Sequence, residues 1–260
     1  MRKNERGPGD ATASHDAPSV RPAREAELAT GLARVEERVA RACDAAGRSR
    51  SEVTLIVVTK TYPAEDVRLL AGLGVRDFAE NKDQEAAAKA AALADLPLTW
   101  HFVGQLQTNK ARSVTAYADY VHSVDRVRLV DALARAVAQR ERAPLNCLIQ
   151  VALEEESGQG GGRGGVDPAG VAELAAALAA APGLRLAGLM AVAPLTGGYA
   201  GAPGAAFERL MEIAGDLRLV DPAANMVSAG MSADLEEAII AGATHVRVGS
   251  AVLGVRPALG

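Results

Sequence analysis

The sequence has few aromatic residues, little net charge and no long apolar run. Phe, Trp and Tyr make up 3% of its 260 residues, and the formal net charge is -4. A base-stacking platform and a basic nucleic-acid-binding surface are therefore not expected. No stretch approaches the roughly 20 apolar residues that a transmembrane helix needs. These absences predict a cytoplasmic protein that binds neither nucleic acid nor a membrane.

Cysteine and histidine are also scarce. Cys43 and Cys147 are the two cysteines; they lie far apart in apolar patterns, which favours buried free thiols over a disulfide. The four histidines, at positions 15, 101, 122 and 245, do not have the spacing of metal ligands. No metal site is therefore expected.

The first 24 residues mix both charge signs with Gly, Pro and Ser and contain no apolar core of a signal peptide. This composition predicts a disordered tail over residues 1–24 and one folded domain over residues 25–260. The domain opens with an amphipathic helix, since apolar residues recur at helical spacing. They are Leu28, Leu32, Val35, Val39 and Cys43.

Strand and helix patterns alternate through the rest of the chain. Eight short apolar segments, beginning with Leu55–Thr59 and ending with "HVRVGSAVLG", are separated by helical patterns. Eight parallel strands are the number that closes a (β/α)8 TIM barrel, an α/β fold. A doubly wound open sheet is the alternative, but it would place a glycine-rich loop after the first strand. That position reads "TKTYPAED".

The first strand ends in a lysine. In "LIVVTKTY" the residues Ile56, Val58 and Lys60 share one face, because side chains alternate along a strand. If that face points inward, the Lys60 amine lies in the barrel mouth, where a desolvated lysine forms a Schiff base with carbonyl compounds. The alternative is a lysine that reaches solvent from a strand end.

Polar residues follow the next two strands. Asn81, in "AENKDQEAA", directly follows the second strand and is a candidate to contact a ligand ring, or to cap the following helix. The third strand runs into the polar loop of "WHFVGQLQTNKARS". Its amides, threonine and lysine indicate either a polar ligand or capping of the next helix.

The loops after the seventh and eighth strands predict a phosphate site, as these two loops commonly bind phosphate in such barrels. The candidates are Ser228, Gly230, Met231 and Ser232 in "SAGMSAD", and Gly249 and Ser250 in "RVGSAVLG". Arg247 alternates with Val246 and Val248. If those valines face the helices, Arg247 points inward and needs an acceptor.

A Schiff-base lysine, a phosphate site and an inward arginine together describe one cofactor, pyridoxal 5'-phosphate (PLP). The sequence resembles the pyridoxal phosphate homeostasis proteins from about residue 30 to the end. The matching segments are "VTKTYP", "FAENKDQE", "WHFVGQLQTNK", "HSVDR", "LIQV", "GLMAVAP" and "SAGMSADLEEAIIAGATHVRVGSAVLG". The resemblance implies the barrel of the alanine racemase fold type, PLP fold type III, without its second β domain.

The resemblance also implies roles for single residues. Lys60 would hold the aldehyde, Asn81 would lie near the ring and Arg247 would face the pyridine nitrogen. The residues around the phosphate would be Ser228, Met231, Ser232, Gly249 and Ser250.

The function implied is intracellular PLP homeostasis: a monomer that binds PLP and buffers it or delivers it to PLP-dependent apoenzymes, without robust turnover. An arginine beside the pyridine nitrogen keeps that nitrogen unprotonated, which weakens the ring as an electron sink. Two alternatives stay open. One is a PLP-dependent enzyme such as an amino-acid racemase, and the other is a cofactor-free aldolase that uses Lys60 on a sugar phosphate.

Overall fold

A computed structural model describes residues 20–139, 143–153 and 164–254 of the chain. Its eight strands are all parallel and form one closed barrel in the order in which they occur in the sequence. The predicted TIM barrel is therefore confirmed. The strands are β1 Thr54–Val58, β2 Asp77–Glu80, β3 Thr99–Phe102, β4 Tyr120–Val124, β5 Leu145–Gln150, β6 Leu184–Met190, β7 Met226–Ser228 and β8 His245–Val248.

Helices surround the barrel. They are α1 Val20–Ala45, α2 Ala64–Gly72, α3 Asp83–Ala92, α4 Ala111–Val114, α5 Val127–Val137, α6 Val171–Ala180, α7 Pro203–Val220, α8 Leu235–Ala241 and α9 Ser250–Leu253. Within the described ranges, no helix is both long and apolar enough to span a bilayer.

The first helix begins earlier than predicted. Residues 20–24 belong to α1 instead of to a disordered tail, and residues 1–19 lie outside the described residues. Arg24 explains the difference, because its guanidinium donates to both carboxylate oxygens of Asp66, at 3.2 and 2.7 Å, and to the Leu253 carbonyl at 3.0 Å. A mixed-charge composition cannot predict these long-range bonds. Farther along α1, the predicted apolar face packs against the barrel through buried Leu28, Val35, Val39 and Cys43.

The strands alternate between two apolar layers. On β1, Leu55 and Val57 pack against the helices, whereas Ile56 belongs to a small cluster inside the barrel. On β8, Val246 and Val248 also face the helices. Arg247 pairs in register with Ile56, and paired residues of adjacent strands share a face. Arg247 therefore points into the barrel, as the alternation predicted.

Candidate functional site

Lys60 lies at the carboxyl end of β1, above the barrel interior. The Thr59 amide donates to the Ala79 carbonyl at 3.0 Å, so the extended pairing with β2 continues one residue past β1. The Thr59 hydroxyl points outward, where it donates to Glu80 Oε1 at 2.7 Å. Lys60, the next residue, begins the turn after the strand and is exposed. This arrangement fits a lysine in the barrel mouth.

Asn81 directly follows β2, on the neighbouring strand, and it does not cap α3. The cap residue is Lys82, and its side chain makes no capping hydrogen bond. The Asn81 Oδ1 atom is buried and has no hydrogen-bond partner in the described part of the chain. A buried amide oxygen without a partner is costly, so Asn81 fits a ligand contact better than a cap.

The peptide of Asn81 is closely covered by Gly104. A Cβ atom at position 104 would lie 2.0 Å from the Asn81 carbonyl oxygen, far inside van der Waals contact. Glycine at 104 is thus required for the loop after β3 to lie against Asn81.

Arg247 is buried inside the barrel. Its Nη1 donates to Ser228 Oγ at 2.6 Å and its Nη2 donates to the Ala191 carbonyl at 3.0 Å. Burial lowers the pKa of Arg247 to about 10, and the carboxylate of Asp234 opposes this effect. A guanidinium has five N–H donors. Two are used within the described residues, which leaves three for a ligand.

The acceptor of Arg247 is the first member of a chain of hydrogen bonds that crosses the barrel. Ser228 Oγ lies 3.0 Å from His122 Nδ1, His122 Nε2 lies 2.9 Å from His101 Nδ1, and His101 Nε2 lies 3.0 Å from Asp77 Oδ1. Asp77 begins β2, so the chain ends near the amino-terminal opening of the barrel.

One direction in this series of hydrogen bonds is fixed by chemistry alone. Arginine can only donate, so Ser228 accepts from Arg247. Burial lowers the pKa of His122 well below its usual value, so its ring is neutral and has one donor and one acceptor nitrogen. With a neutral His101 ring that donates to the carboxylate of Asp77, His122 donates to His101 and accepts from Ser228. The hydrogen bonds thus connect a cation to a carboxylate.

Ser228 is therefore not placed among the loop residues where the sequence predicted it. Its hydroxyl faces the barrel interior and is fully buried, between Arg247 Nη1 and His122 Nδ1. Sequence reasoning also missed the roles of Asp77, His101 and His122. His101 pairs in register with Ala79, so both side chains face the barrel interior. This alternation is a signal that could have found His101.

The other predicted phosphate residues lie in the loops after β7 and β8. The Met231 amide is not free, because it donates to Asp234 Oδ1 at 2.6 Å. Ser232 lies in the turn that precedes α8. Gly249 comes directly before α9, and a Cβ atom there would lie 3.0 Å from the Val58 carbonyl oxygen. Ser250 is exposed and opens α9; the first amides of a helix have no intrahelical acceptor.

A polar cavity of about 800 Å³ adjoins Asn81. It lies between the start of α3 and the loop after β3, the polar loop that the sequence singled out. Side chains of both charge signs and several amides line it: Asn81, Lys82, Asp83, Gln84, Glu85, Gln105, Gln107, Lys110 and Arg126. Three residues of that loop, Gln105, Gln107 and Lys110, thus face a space large enough for a polar ligand.

Acid is expected to destabilise the fold through its buried histidines. Burial, with a smaller effect of His101, lowers the pKa of His245 to about 4, against the opposing charge of Asp77. The unfolded chain takes up this proton near pH 6.5, whereas the folded protein does not until about pH 4. The contribution of the neutral His245 ring to the free energy of unfolding is therefore complete above pH 6.5. It is lost as the pH falls towards 4, by about 2 kcal/mol after allowance for the partial exposure of the ring.

Urea unfolding at pH 7.5 and pH 4.5 tests this expectation. The loss of unfolding free energy between the two pH values should be smaller in His245→Asn than in the unaltered protein, by about 2 kcal/mol. Equal losses in the two proteins would contradict the assignment, since all other titrating groups are shared.

Comparisons with known proteins cover nearly all of the described chain. The family model for the alanine racemase N-terminal domain matches residues 31–257. A pyridoxal phosphate homeostasis protein of Pseudomonas aeruginosa is 44% identical over 231 residues, which cover 88% of this chain and 96% of the relative. A protein of the same name from Mycobacterium tuberculosis is 42% identical over 256 residues, covering 92% and 96%.

Solved structures agree with the fold. PipY of Synechococcus elongatus with PLP bound has a TM-score of 0.71 and 34% identity, covering 87% of this chain and 100% of that one. Alanine racemase of Corynebacterium glutamicum has a TM-score of 0.59 and 18% identity, covering 91% of this chain and 62% of that one. The second likeness concerns the fold alone.

Proposed function

The chain belongs to the family of pyridoxal phosphate homeostasis proteins, and from that premise we propose that it binds PLP as a Schiff base on Lys60. The bound cofactor is buffered or delivered, and no robust catalytic turnover takes place. PipY, a relative at 34% identity, was solved with PLP bound, which supports PLP as the ligand.

One observation carries the proposal: an exposed lysine and a buried arginine with open donors lie on adjacent strands of one barrel mouth. Lys60 follows β1, and Arg247 is in β8, which pairs with β1. Lysine supplies the amine that captures an aldehyde. Arg247 supplies a charged donor to the pyridine nitrogen from below, held in place by Ser228 and the Ala191 carbonyl.

The remaining contacts follow from the two loops and from Asn81. Gly249 and the hydroxyl and amide of Ser250 receive the phosphate, together with Ser232 and the loop around Met231. Ser228 contributes by holding Arg247, from which its hydroxyl accepts a hydrogen bond at 2.6 Å. Asn81, whose buried oxygen has no partner among the described residues, would lie near the ring.

The same geometry argues against turnover. PLP supplies an electron sink for carbanion chemistry, and the sink works best when its ring nitrogen is protonated. Arg247 opposes that protonation because a second positive charge beside it is unfavourable. Racemases need a second base, and two tyrosines are engaged otherwise: the Tyr62 hydroxyl donates to the Gly254 carbonyl at 2.7 Å, and Tyr120 stacks on His101 inside the barrel.

On this proposal the protein acts in the cytoplasm as a monomer, and PLP-dependent apoenzymes receive its cofactor. A monomer is expected because every residue proposed to contact the cofactor belongs to one chain.

The first experiment is the visible absorbance of the purified protein with added PLP, before and after borohydride, beside Lys60→Ala. We expect a yellow band that borohydride bleaches, with the label on Lys60, and no such band in Lys60→Ala. Lys82→Ala is the matched control, because Lys82 is an exposed lysine close to the same mouth and its loss should leave the band intact.

Other outcomes separate the alternatives. Steady amino-acid turnover by the yellow protein would identify a PLP-dependent enzyme and contradict the carrier. A protein that stays colourless with PLP, but is trapped by borohydride with a sugar phosphate, would identify the aldolase.

A further inference from the structure

A buried lysine on α3 contacts the turn that carries Lys60. The side chain of Lys89 is 7% exposed. Its Nζ donates to the Thr59 carbonyl at 2.6 Å, to Glu80 Oε1 at 2.6 Å and to Glu85 Oε1 at 2.7 Å. An ammonium has three donors, so each of them is used and none is left for a ligand.

The carboxylates of this cluster hold the other side of the same turn. Glu85 Oε1 also accepts from the Thr61 amide. Glu80 Oε1 also accepts from the Thr59 hydroxyl at 2.7 Å. The Thr59 carbonyl and the Thr61 amide, on either side of Lys60, thus both hydrogen-bond to one cluster of charged side chains. The cluster consists of Lys89, Glu80 and Glu85.

The backbone at this turn needs such support. Thr61 has φ of 72°, and within the described ranges it is the one residue other than glycine with positive φ. A β-branched residue rarely adopts this conformation because its Cβ clashes with the backbone. Glycine would adopt it without that cost. Hydrogen bonds hold the conformation at Thr61: the Thr61 amide donates to Glu85 Oε1 on α3, and the Tyr62 amide donates to the Thr59 carbonyl at 3.0 Å.

A purely structural role explains this cluster poorly. Taking a lysine and a glutamate out of water is costly, and apolar side chains of similar volume usually stabilise a fold as well or better. Glu80 is 1% exposed, and its second oxygen has no partner among the described residues. What the charged cluster provides and an apolar one would not is a fixed orientation of the two peptides that flank Lys60.

We propose that Lys89, Glu80 and Glu85 are positioning residues that hold the Thr59–Thr61 turn so that the Lys60 amine projects into the barrel mouth. The inference rests on the proposed function, in which Lys60 captures the PLP aldehyde. Small displacements of a reacting group reduce the rate of its reaction strongly, so loss of the cluster should slow capture without removing the amine that performs it.

The test uses two variants. Lys89→Met keeps the length and helix propensity of the side chain. Glu85→Ala changes a partly exposed residue, so we expect it to fold even if Lys89→Met does not. We measure the rate of Schiff-base formation with PLP, the dissociation constant and the site of borohydride labelling. Both variants should label on Lys60 but form the Schiff base at least about tenfold more slowly. Arg41→Met, a change at an exposed residue of α1 that pairs with Glu37 four residues away, should behave like the unaltered protein.

Rescue distinguishes positioning from general stability. Thr61→Gly removes the backbone strain, so it should restore most of the rate when added to Glu85→Ala or Lys89→Met. A folded Lys89→Met or Glu85→Ala with an unaltered rate would overturn the inference, and so would slow variants that Thr61→Gly leaves slow. Failure of the unaltered protein to form any Schiff base with PLP would instead contradict the proposed function.

Discussion

Replacing Arg247 with methionine is expected to weaken PLP binding ten- to a hundredfold, about 1.5–3 kcal/mol, because a charged donor to the ring nitrogen is lost. The same change should leave the cofactor-free protein at least as stable as before. These two effects have opposite signs for one reason: Arg247 is a buried cation, and among the described residues no carboxylate is in direct contact with it.

The cost of burying Arg247 appears in its pKa, which burial lowers to about 10. Its direct partners are neutral, the Ser228 hydroxyl and the Ala191 carbonyl, and the carboxylate of Asp77 is reached only through two histidines. An apolar side chain of similar length removes the desolvation cost and still fills the space, which is commonly neutral or stabilising. A residue that costs stability is retained where a ligand uses it.

Urea unfolding of the cofactor-free protein and PLP titration of the same sample measure the two effects separately. Arg209→Met is the control, since Arg209 forms an exposed pair with Glu212 three residues away on α7 and its loss should change neither quantity appreciably. A folded Arg247→Met protein that binds PLP with unaltered affinity would remove Arg247 from the site.

The sequence predicted those parts of the site that depend on local periodicity. Alternation along β8 was enough to predict that Arg247 points inward, because Val246 and Val248 were expected to face the helices. The same rule predicted that Lys60 shares the face of Ile56; the structure shows Lys60 exposed in the turn after β1. Eight apolar segments and the missing glycine loop after the first strand were enough to favour a closed barrel over an open sheet.

The parts that depend on contacts between distant strands could not be predicted. Ser228 reads as a loop hydroxyl in "SAGMSAD", yet it bonds to Arg247 and His122 inside the barrel, because β7 ends at that residue. The line from Asp77 through His101 to His122 requires the register between β2, β3 and β4, which no single segment specifies.

The cluster on α3 was hidden for another reason. In "QEAAAKAAAL", Glu85 and Lys89 are four residues apart, the spacing of an ordinary surface ion pair on a helix. Nothing in that spacing indicates that the pair is buried against Glu80 and the Thr59 carbonyl. The exposed appearance of an alanine-rich helix therefore concealed residues that contact the turn at Lys60.

Replacing Gly188 with alanine is expected to destabilise the protein by about 4 kcal/mol or more. Gly188 has φ of 148° on β6, and a Cβ atom there would lie 1.9 Å from the carbonyl oxygen of Met226, its register partner on β7. Backbone strain and overpacking each cost about 1–3 kcal/mol. The clash is with backbone, so no side-chain rotation relieves it.

The consequence extends to the site because β7 places Ser228 two residues beyond Met226. Pushing β7 away from β6 would separate Met190 from Ser228, which pair in register, and would draw the acceptor away from Arg247. Gly215→Ala is the matched control: it lies within α7 with nothing inside 4 Å of the added atom, and alanine should stabilise that helix by about 0.5–1 kcal/mol. Urea unfolding of both variants measures the contrast. A Gly188→Ala protein as stable as Gly215→Ala would mean that β6 and β7 are not as close as described, and the support of Arg247 by Ser228 would then have to be abandoned.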